Sequence, residues 1–438
     1  MAIADVGGVG LASLVGKIED RMRVVPHATV AARIAPLVST LLLALLPLSF
    51  ATPGRAKVAL FGVLFFYGLY LLIADRQVRA IYAGARPFTW LCWVIVLFAA
   101  ANILGHGLRW NEFDLPSHIL MFLAIAAVFT QPLRLPWFWR GLSLTAAVLG
   151  VVCIYQHYFQ GAERASGIDA SDWGVIELAM FMLVLSLSGV VQLLRPQVVP
   201  AMRLFHAVCA ALGMFGALLT QSRGPLLACV PVFALVIGLA IVRTRRWREP
   251  VAVLVGAVLI AGAAVLLMRG EIVARFHAIG QEVSTYSSND TQGAVRERLE
   301  MWRVARRAFL EHPVTGVGID QFGAYTQSQV RLGLASDSIA KYQHPHSEYL
   351  EAAVAGGVPG LMLLLLLFGM PLVFFARRVF DPDEAIATSA TVGLLTVVMY
   401  ALCGLTDNVL YRSMPHSLFY FLVLGMMVQI SRLRATTP

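Results

Sequence analysis

The chain has 438 residues, of which 58% are hydrophobic and only 13% charged. A soluble globular protein carries about 25% charged residues, so this composition excludes a water-facing globule and points to lipid as the solvent. The net charge of +9 does not call for nucleic acid as a partner. In so apolar a chain, basic residues mark cytoplasmic helix ends and touch anionic membrane lipids.

In chain order, residues 1–32 are mixed in character and lightly amphipathic. They lack the pattern of a cleavable signal peptide and read as a cytoplasmic N-terminal segment. Apolar runs near 33–50, 56–74, 88–104, 117–130, 136–159, 173–194, 202–220, 224–243 and 251–268 are each of the length that spans a bilayer. The fourth run is short. The seventh and eighth are separated only by Thr220-Gln221-Ser222-Arg223-Gly224, a tight turn or irregular backbone lining a cavity. A long hydrophilic loop over 269–350 follows, then runs near 351–376, 386–406 and 415–431, and a tail over 432–438. The expectation is an all-α, polytopic membrane protein. It has about twelve transmembrane helices: nine within 33–268, three within 351–431, and one large helical loop between the sets.

Lys and Arg set the orientation. Lys17, Arg21, Arg76, Arg134, Arg195, Arg243, Arg245, Arg377 and Arg432 fall on one side, with further arginines beside them; Arg109, Arg164, Arg223 and Arg412 fall on the other. The richer side is cytoplasmic, which places both termini there and the 269–350 loop outside. Cys92, Cys153, Cys209, Cys229 and Cys403 all sit in apolar runs without metal-ligand spacing, and are expected to be small buried hydrophobes.

Within the loop, Val295, Arg298, Trp302, Ala305 and Phe309 recur at three- and four-residue steps, which predicts a helix with Arg298 on its apolar face. An arginine placed there calls for an anion. Pro313 ends that helix, and Gly316-Val-Gly-Ile-Asp320 is a glycine-permitted turn.

Four groups could carry chemistry. Arg223 stands at a helix junction on the outer side, flanked by Ser222 and Gly224, where hydroxyl and backbone donors suit a phosphate; a snorkelling interfacial arginine is the plainer account. His344-Pro345-His346 precedes the tenth run. Two histidines are too few ligands for a metal site, and histidine is the usual general base near neutrality. Arg164, and the corner of Asp407-Asn408 with Arg412, are weaker singly. The outer loops lack an Asp-x-Asp pair; Asp381-Pro-Asp383 lies on the cytoplasmic side and reads as a helix start. Arginines and a histidine without a metal site suggest a diphosphate leaving group held by guanidinium groups and a hydroxyl activated by imidazole.

Ser222-Arg223-Gly224, Arg298-Leu-Glu-Met-Trp302, His312-Pro-Val-Thr-Gly-Val-Gly318, His346-Ser-Glu-Tyr-Leu350 and Gly357-Val-Pro-Gly360, in that order around a long loop, resemble the O-antigen ligase/polymerase superfamily. The likeness covers about residues 160–410 and is specific as a set. The family often has His-Asn where this chain has His346-Ser347. The resemblance implies a bacterial inner-membrane glycosyltransferase with a periplasm-facing site. A glycan on undecaprenyl diphosphate would be the donor and, in the ligase branch, a sugar hydroxyl of lipid A-core the acceptor. The reaction would be inverting, metal-independent and free of cofactors. His346 would be the base, Arg223 and Arg298 would bind the diphosphate, Arg164 the donor, and His344 would support them. Rival readings are the O-antigen polymerase or another lipid-linked-glycan transferase of the superfamily, and, from another class, a transporter or flippase.

Overall fold

The computed structural model describes residues 27–52, 55–168, 174–267 and 294–436. Residues 1–26 of the expected N-terminal segment, 268–293 of the expected loop and the last two residues of the tail lie outside these. Fifteen α-helices follow one another: α1 His27–Phe50, α2 Arg55–Ala74, α3 Arg76–Tyr82, α4 Arg86–Gly105, α5 Asp114–Ala126, α6 Leu135–Gln160, α7 Val175–Leu193, α8 Pro200–Leu219, α9 Arg223–Thr244, α10 Arg248–Leu267, α11 Ala294–Glu311, α12 Phe322–Arg331, α13 Glu348–Ala376, α14 Glu384–Cys403 and α15 Ser413–Thr436. No strand occurs among the described residues.

Each of the twelve apolar runs corresponds to a helix. Ten spans are long and apolar enough to cross a membrane, Ile34–Phe50 is a shorter apolar helix, and α10 occupies the ninth run. The protein is an all-α multi-pass membrane protein. The short fourth run is α5 prolonged by a 3₁₀ turn over Ala127–Thr130. Helix α1 begins at His27, inside the segment read as preceding it, and α15 continues to Thr436, through most of the expected tail.

Burial ranks the helices. Along α7 every residue from Leu178 to Gln192 is buried, and most of α14 and α15 is buried as well. A helix that is apolar all round has no preferred solvent face and takes the centre of a bundle. Helices α2, α4 and α9 turn large apolar side chains outward, including Phe66, Trp90 and Leu227, as a lipid-facing surface requires. All five cysteines are free, and four of them are buried. Asp383 caps α14 by accepting from the backbone N–H of Ala385 at 2.7 Å and of Ile386 at 3.1 Å, the helix-start role that its sequence position suggests.

One break in this pattern positions the site. Helix α13 is interrupted at Gly357, whose φ of 61° and ψ of −151° belong to a region that essentially only glycine occupies. The break frees the carbonyl of Val354, and Pro359, which has no N–H, leaves that of Ala355 without a helical donor. They accept from the backbone N–H groups of Val317 at 2.8 Å and Gly318 at 3.2 Å, and Val358 N–H donates to Pro313 at 2.7 Å. The glycine turn after α11 is thus pinned into the kink of α13. Asn102 near the end of α4 locks it from the other side, donating to Ala355 O at 3.0 Å and accepting from Ile319 N–H at 2.9 Å. Beside it, Met301, Val304, Ala305 and Ala308 of α11 form a small core with Phe322, Ile339 and Val354.

That core corrects the helical face read from sequence. The buried stripe of α11 is 301/304/305/308, so Arg298, Trp302 and Phe309 lie at its edge, only half-buried. The stripe follows the surface that α13 offers, and the aromatic residues border it. The side chain of Val295 lies outside the described set.

A Cβ at position 357 would stand 2.4 Å from Pro313 O. Gly357→Ala is therefore expected to cost at least about 2 kcal/mol of stability. Gly238→Ala on α9, where a Cβ meets nothing within 4 Å, should change little. Melting temperatures of the two variants in lipid nanodiscs test this.

Candidate active site

The N-terminus of α13 and the corner between α14 and α15 grip each other. Ser347 N–H donates to Asn408 Oδ1 at 3.1 Å, and Glu348 N–H reaches Gly404 O at 2.9 Å and Asp407 O at 3.2 Å. In return, Leu410 N–H donates to Glu348 Oε2 at 3.0 Å. This clasp delivers His346 to Asp407: the imidazole Nδ1–H donates to Asp407 Oδ1 at 3.0 Å. A carboxylate can only accept, so the bond fixes the tautomer and leaves Nε2 with its lone pair free. Asp407 is 6% exposed, which keeps water from competing for it. His346 has a φ of +51°, a left-handed conformation that costs a non-glycine residue about 1–3 kcal/mol. The clasp on either side supports that strain.

The arginines come from a second junction. Arg164 donates through Nε to Thr220 O at 2.9 Å and through a terminal nitrogen to Ser222 Oγ at 3.4 Å. Ser222 Oγ in turn donates to Val175 O, at the start of α7, at 3.0 Å. Arg223, the first residue of α9, is exposed next to this contact. Gly224 lets that turn approach the α14–α15 corner, because a Cβ there would lie 2.8 Å from Thr406 Oγ1, one residue from Asp407. Arg412 joins from the same corner, pairing with Glu177 in the first turn of α7 at 3.0 Å. The N-terminal turn of α7 therefore touches both groups. Arg298 lies one turn before Trp302, whose indole N–H donates to Pro345 O at 3.0 Å, directly ahead of His346.

Residues 208–365 match the family described as O-antigen ligase. The match supports the resemblance to the O-antigen ligase/polymerase superfamily. A protein from Haemophilus influenzae whose function is uncharacterised is 22% identical over 343 residues, covering 76% of this chain and 83% of that protein. The matched ligase-family segment runs from α8 into α13 and holds Arg223, Arg298, His344 and His346. Arg164 and Asp407 lie outside it and reach the same place through the fold. A membrane glycosyltransferase-like enzyme of this superfamily is what the match supports.

His344 packs edge-on to His346 with ring centroids 4.6 Å apart and lies 4.8 Å from the ring of Tyr411. Burial, reinforced by neighbouring His346, lowers its pKa to about 4, so it is neutral at working pH. Its Nδ1 is buried without a hydrogen-bond partner. Ligand atoms of His344, His346 and Asp407 all lie within 4.8 Å of one another, so the corner supplies the third ligand that sequence spacing does not show. An ion there would displace the proton that His346 shares with Asp407.

Several contributors had little sequence signal. Asp407 is 61 residues from His346 and Glu177 is 235 from Arg412, so neither partnership has a local motif. Glu177 and Asn102 are, however, polar groups inside apolar runs, and that is the one sign they give. Asp320 is another. It sits at the end of the glycine turn with φ of +58°. Burial first, then the charge and hydrogen bond of Glu112, raise its pKa to about 6, against the lowering effect of Tyr411.

A carboxyl with a raised folded-state pKa binds its proton more tightly in the folded than in the unfolded chain between about pH 4 and 6. Stability therefore falls as pH rises through that window. Asp320→Asn removes the ionisation and retains a side chain that tolerates the left-handed backbone. Its melting temperature is expected to exceed that of the parent at pH 7–8 and to converge with it at pH 4.

Proposed function

We propose that the protein is an O-antigen ligase of the bacterial inner membrane, with its site facing the periplasm. It transfers a glycan from undecaprenyl diphosphate to a sugar hydroxyl of lipid A-core, with inversion at the anomeric carbon. The observation that carries this reading is the His346–Asp407 pair, held on the corner whose Thr406 lies against Gly224, the neighbour of Arg223. His346 Nε2 removes the proton from the acceptor hydroxyl as that oxygen attacks the anomeric carbon. Asp407 holds the ring and stabilises the imidazolium that forms. The bond to the diphosphate breaks as the new glycosidic bond forms, and Arg223, Arg164 and Arg298 neutralise the charge on the leaving group. The orientation is supported by connectivity. The opposite end of the bundle carries Arg195 and Arg243 on Glu384, the basic signature of a cytoplasmic face.

The expected domains follow: transmembrane bundles 33–268 and 351–431, with the 269–350 loop between them on the periplasmic side. The site then lies at the seam between loop and bundle, where two lipid-borne substrates can both arrive laterally.

Reconstitution with a polyprenyl-diphosphate glycan and purified lipid A-core tests the reading. Glycan on the lipid is expected; glycan chains that grow without reaching the lipid would make the enzyme a polymerase. In that assay His346→Ala should lower the rate about 10²–10⁴-fold, and activity should survive EDTA. A loss that a divalent ion restores would shift the chemistry to a metal on His344, His346 and Asp407.

Arg223→Ala should cost about 3 kcal/mol of transition-state stabilisation, about 10²-fold in kcat/KM. A variant that keeps most of its kcat/KM removes Arg223 from the diphosphate site.

A further inference from the structure

At the end of the bundle opposite His346, a groove of about 740 Å³ opens along the last turns of α13 and reaches the end of α15. Leu366, Gly369, Met370, Val373 and Arg377 line it from α13, at the three- and four-residue steps of one helical face. Arg378, Asp381 and, from α15, Arg434 complete it. The rise from Leu366 to Arg377 is about 16 Å, close to the half-thickness of about 15 Å of a bilayer's hydrocarbon core. The groove therefore has the length of one leaflet, apolar along its course and basic at its mouth.

The other arginines of this end have carboxylate partners: Arg195 and Arg243 share Glu384, and Arg203 pairs with Glu249. Among the described residues, Arg377, Arg378 and Arg434 make no such pair. Arg378 is half-buried. Its guanidinium lies over the Phe374 ring, 3.8 Å from the centroid, and one terminal nitrogen donates to Phe374 O at 2.6 Å. Its Nε is buried and has no hydrogen-bond partner. Arg434 and Arg377 repel this group, and Asp381 attracts it, although Asp381 Oδ1 already accepts from Asp383 N–H at 3.0 Å. A guanidinium does not give up its proton in a protein. The like charges at the ends of α13 and α15 are therefore relieved by an anion between them, and a phosphate accepts from several guanidinium groups at once. A soluble phosphate would leave the apolar length of the groove empty. A zwitterionic lipid would bring a cation to a mouth that is already positive. An anionic headgroup with an acyl chain satisfies both parts.

We propose that this groove binds one phospholipid with an anionic headgroup, its phosphate on Arg378 and Arg434 and an acyl chain along Gly369 and Leu366, and that the lipid ties α13 to α15. None of these residues belongs to the transferase site, so the proposal stands apart from that reading. At Gly369 a Cβ would meet nothing within 4 Å, and a larger side chain there grows into the open groove.

The test titrates phosphatidylglycerol and phosphatidylcholine of equal acyl length into the full chain in non-ionic detergent and measures bound lipid by native mass spectrometry. The parent is expected to hold one phosphatidylglycerol at least about tenfold more tightly than phosphatidylcholine. The double variant Arg378→Gln, Arg434→Gln removes the charge and should erase that preference. Gly369→Leu fills the groove and should also erase it. Gly238→Leu on α9, where a Cβ likewise meets nothing within 4 Å, is the control and should behave as the parent. Melting temperatures in phosphatidylcholine nanodiscs report that each variant is folded. In phosphatidylglycerol nanodiscs the melting temperature should rise for the parent and the control alone. If the double variant does not fold, Gly369→Leu decides by itself. Equal binding of the two lipids by the parent overturns the proposal, as does a preference that survives in Gly369→Leu. So does displacement of the lipid by an equal concentration of inorganic phosphate or glycerol phosphate, which would make the groove a soluble-anion site.

Discussion

A backbone carbonyl released inside an apolar bundle must find a donor, because no water is at hand to serve it. The break at Gly357 releases the carbonyl of Val354, Pro359 leaves that of Ala355 without a donor, and most of the site's architecture answers that need. Val317, Gly318 and Asn102 supply the donors, and in doing so they fasten the glycine turn, α11 and the end of α4 to α13. The short segment of α13 before the break is thereby oriented independently of the long segment behind it. His346 sits at the head of that short segment. The interruption of the helix is thus what places an imidazole above the bundle, and the left-handed backbone at His346 is the local cost of the same arrangement.

Charge is sorted around this imidazole. Arg164, Arg223 and Arg412 gather at the first turns of α7 and α9, whereas Glu112, Asp114, Asp320, Glu348 and Glu351 line a cavity between α4, α5 and α13. Glu177 balances Arg412 and ties it to α7, which leaves Arg164 and Arg223 as the arginines of that junction not engaged by Glu177. In a medium of low dielectric such a division acts over longer distances than it would in water.

The apolar runs made the helices legible, since hydrophobic length alone decides a membrane span, and all twelve runs are helical in the structure. Some of the punctuation was legible as well: Pro313 follows the end of α11 and Asp383 caps α14, whereas the break at Gly357 falls inside a run expected to be one continuous helix. Arg164, Arg223, Arg298, His344 and His346 could be picked out because each is a polar residue in a conspicuous local setting. Of their partners, Asp407 stood out only as one member of a weak corner, and Glu177 and Asn102 did not stand out at all. Asp407, Glu177 and Asn102 owe their roles to contacts that chain spacing does not encode. The face of α11 was misplaced by one residue for a related reason. Trp302 and Phe309 look like core by composition, yet the surface of α13 selects the smaller Val304, Ala305 and Ala308, and Trp302 is turned to the Pro345 carbonyl instead.

The pairing of early and late chain segments bears on biogenesis. Glu177 belongs to α7, Arg412 and Asp407 to the corner before the final helix, and His346 to the segment between them. A chain leaving the insertion machinery from its N-terminus can form its Arg164–Ser222 contact while the corner of Asp407 and Arg412 is still unsynthesised. His346 lacks its carboxylate until the last hairpin enters the bilayer. Insertion of α14 and α15 is therefore the step that completes the His346–Asp407 pair.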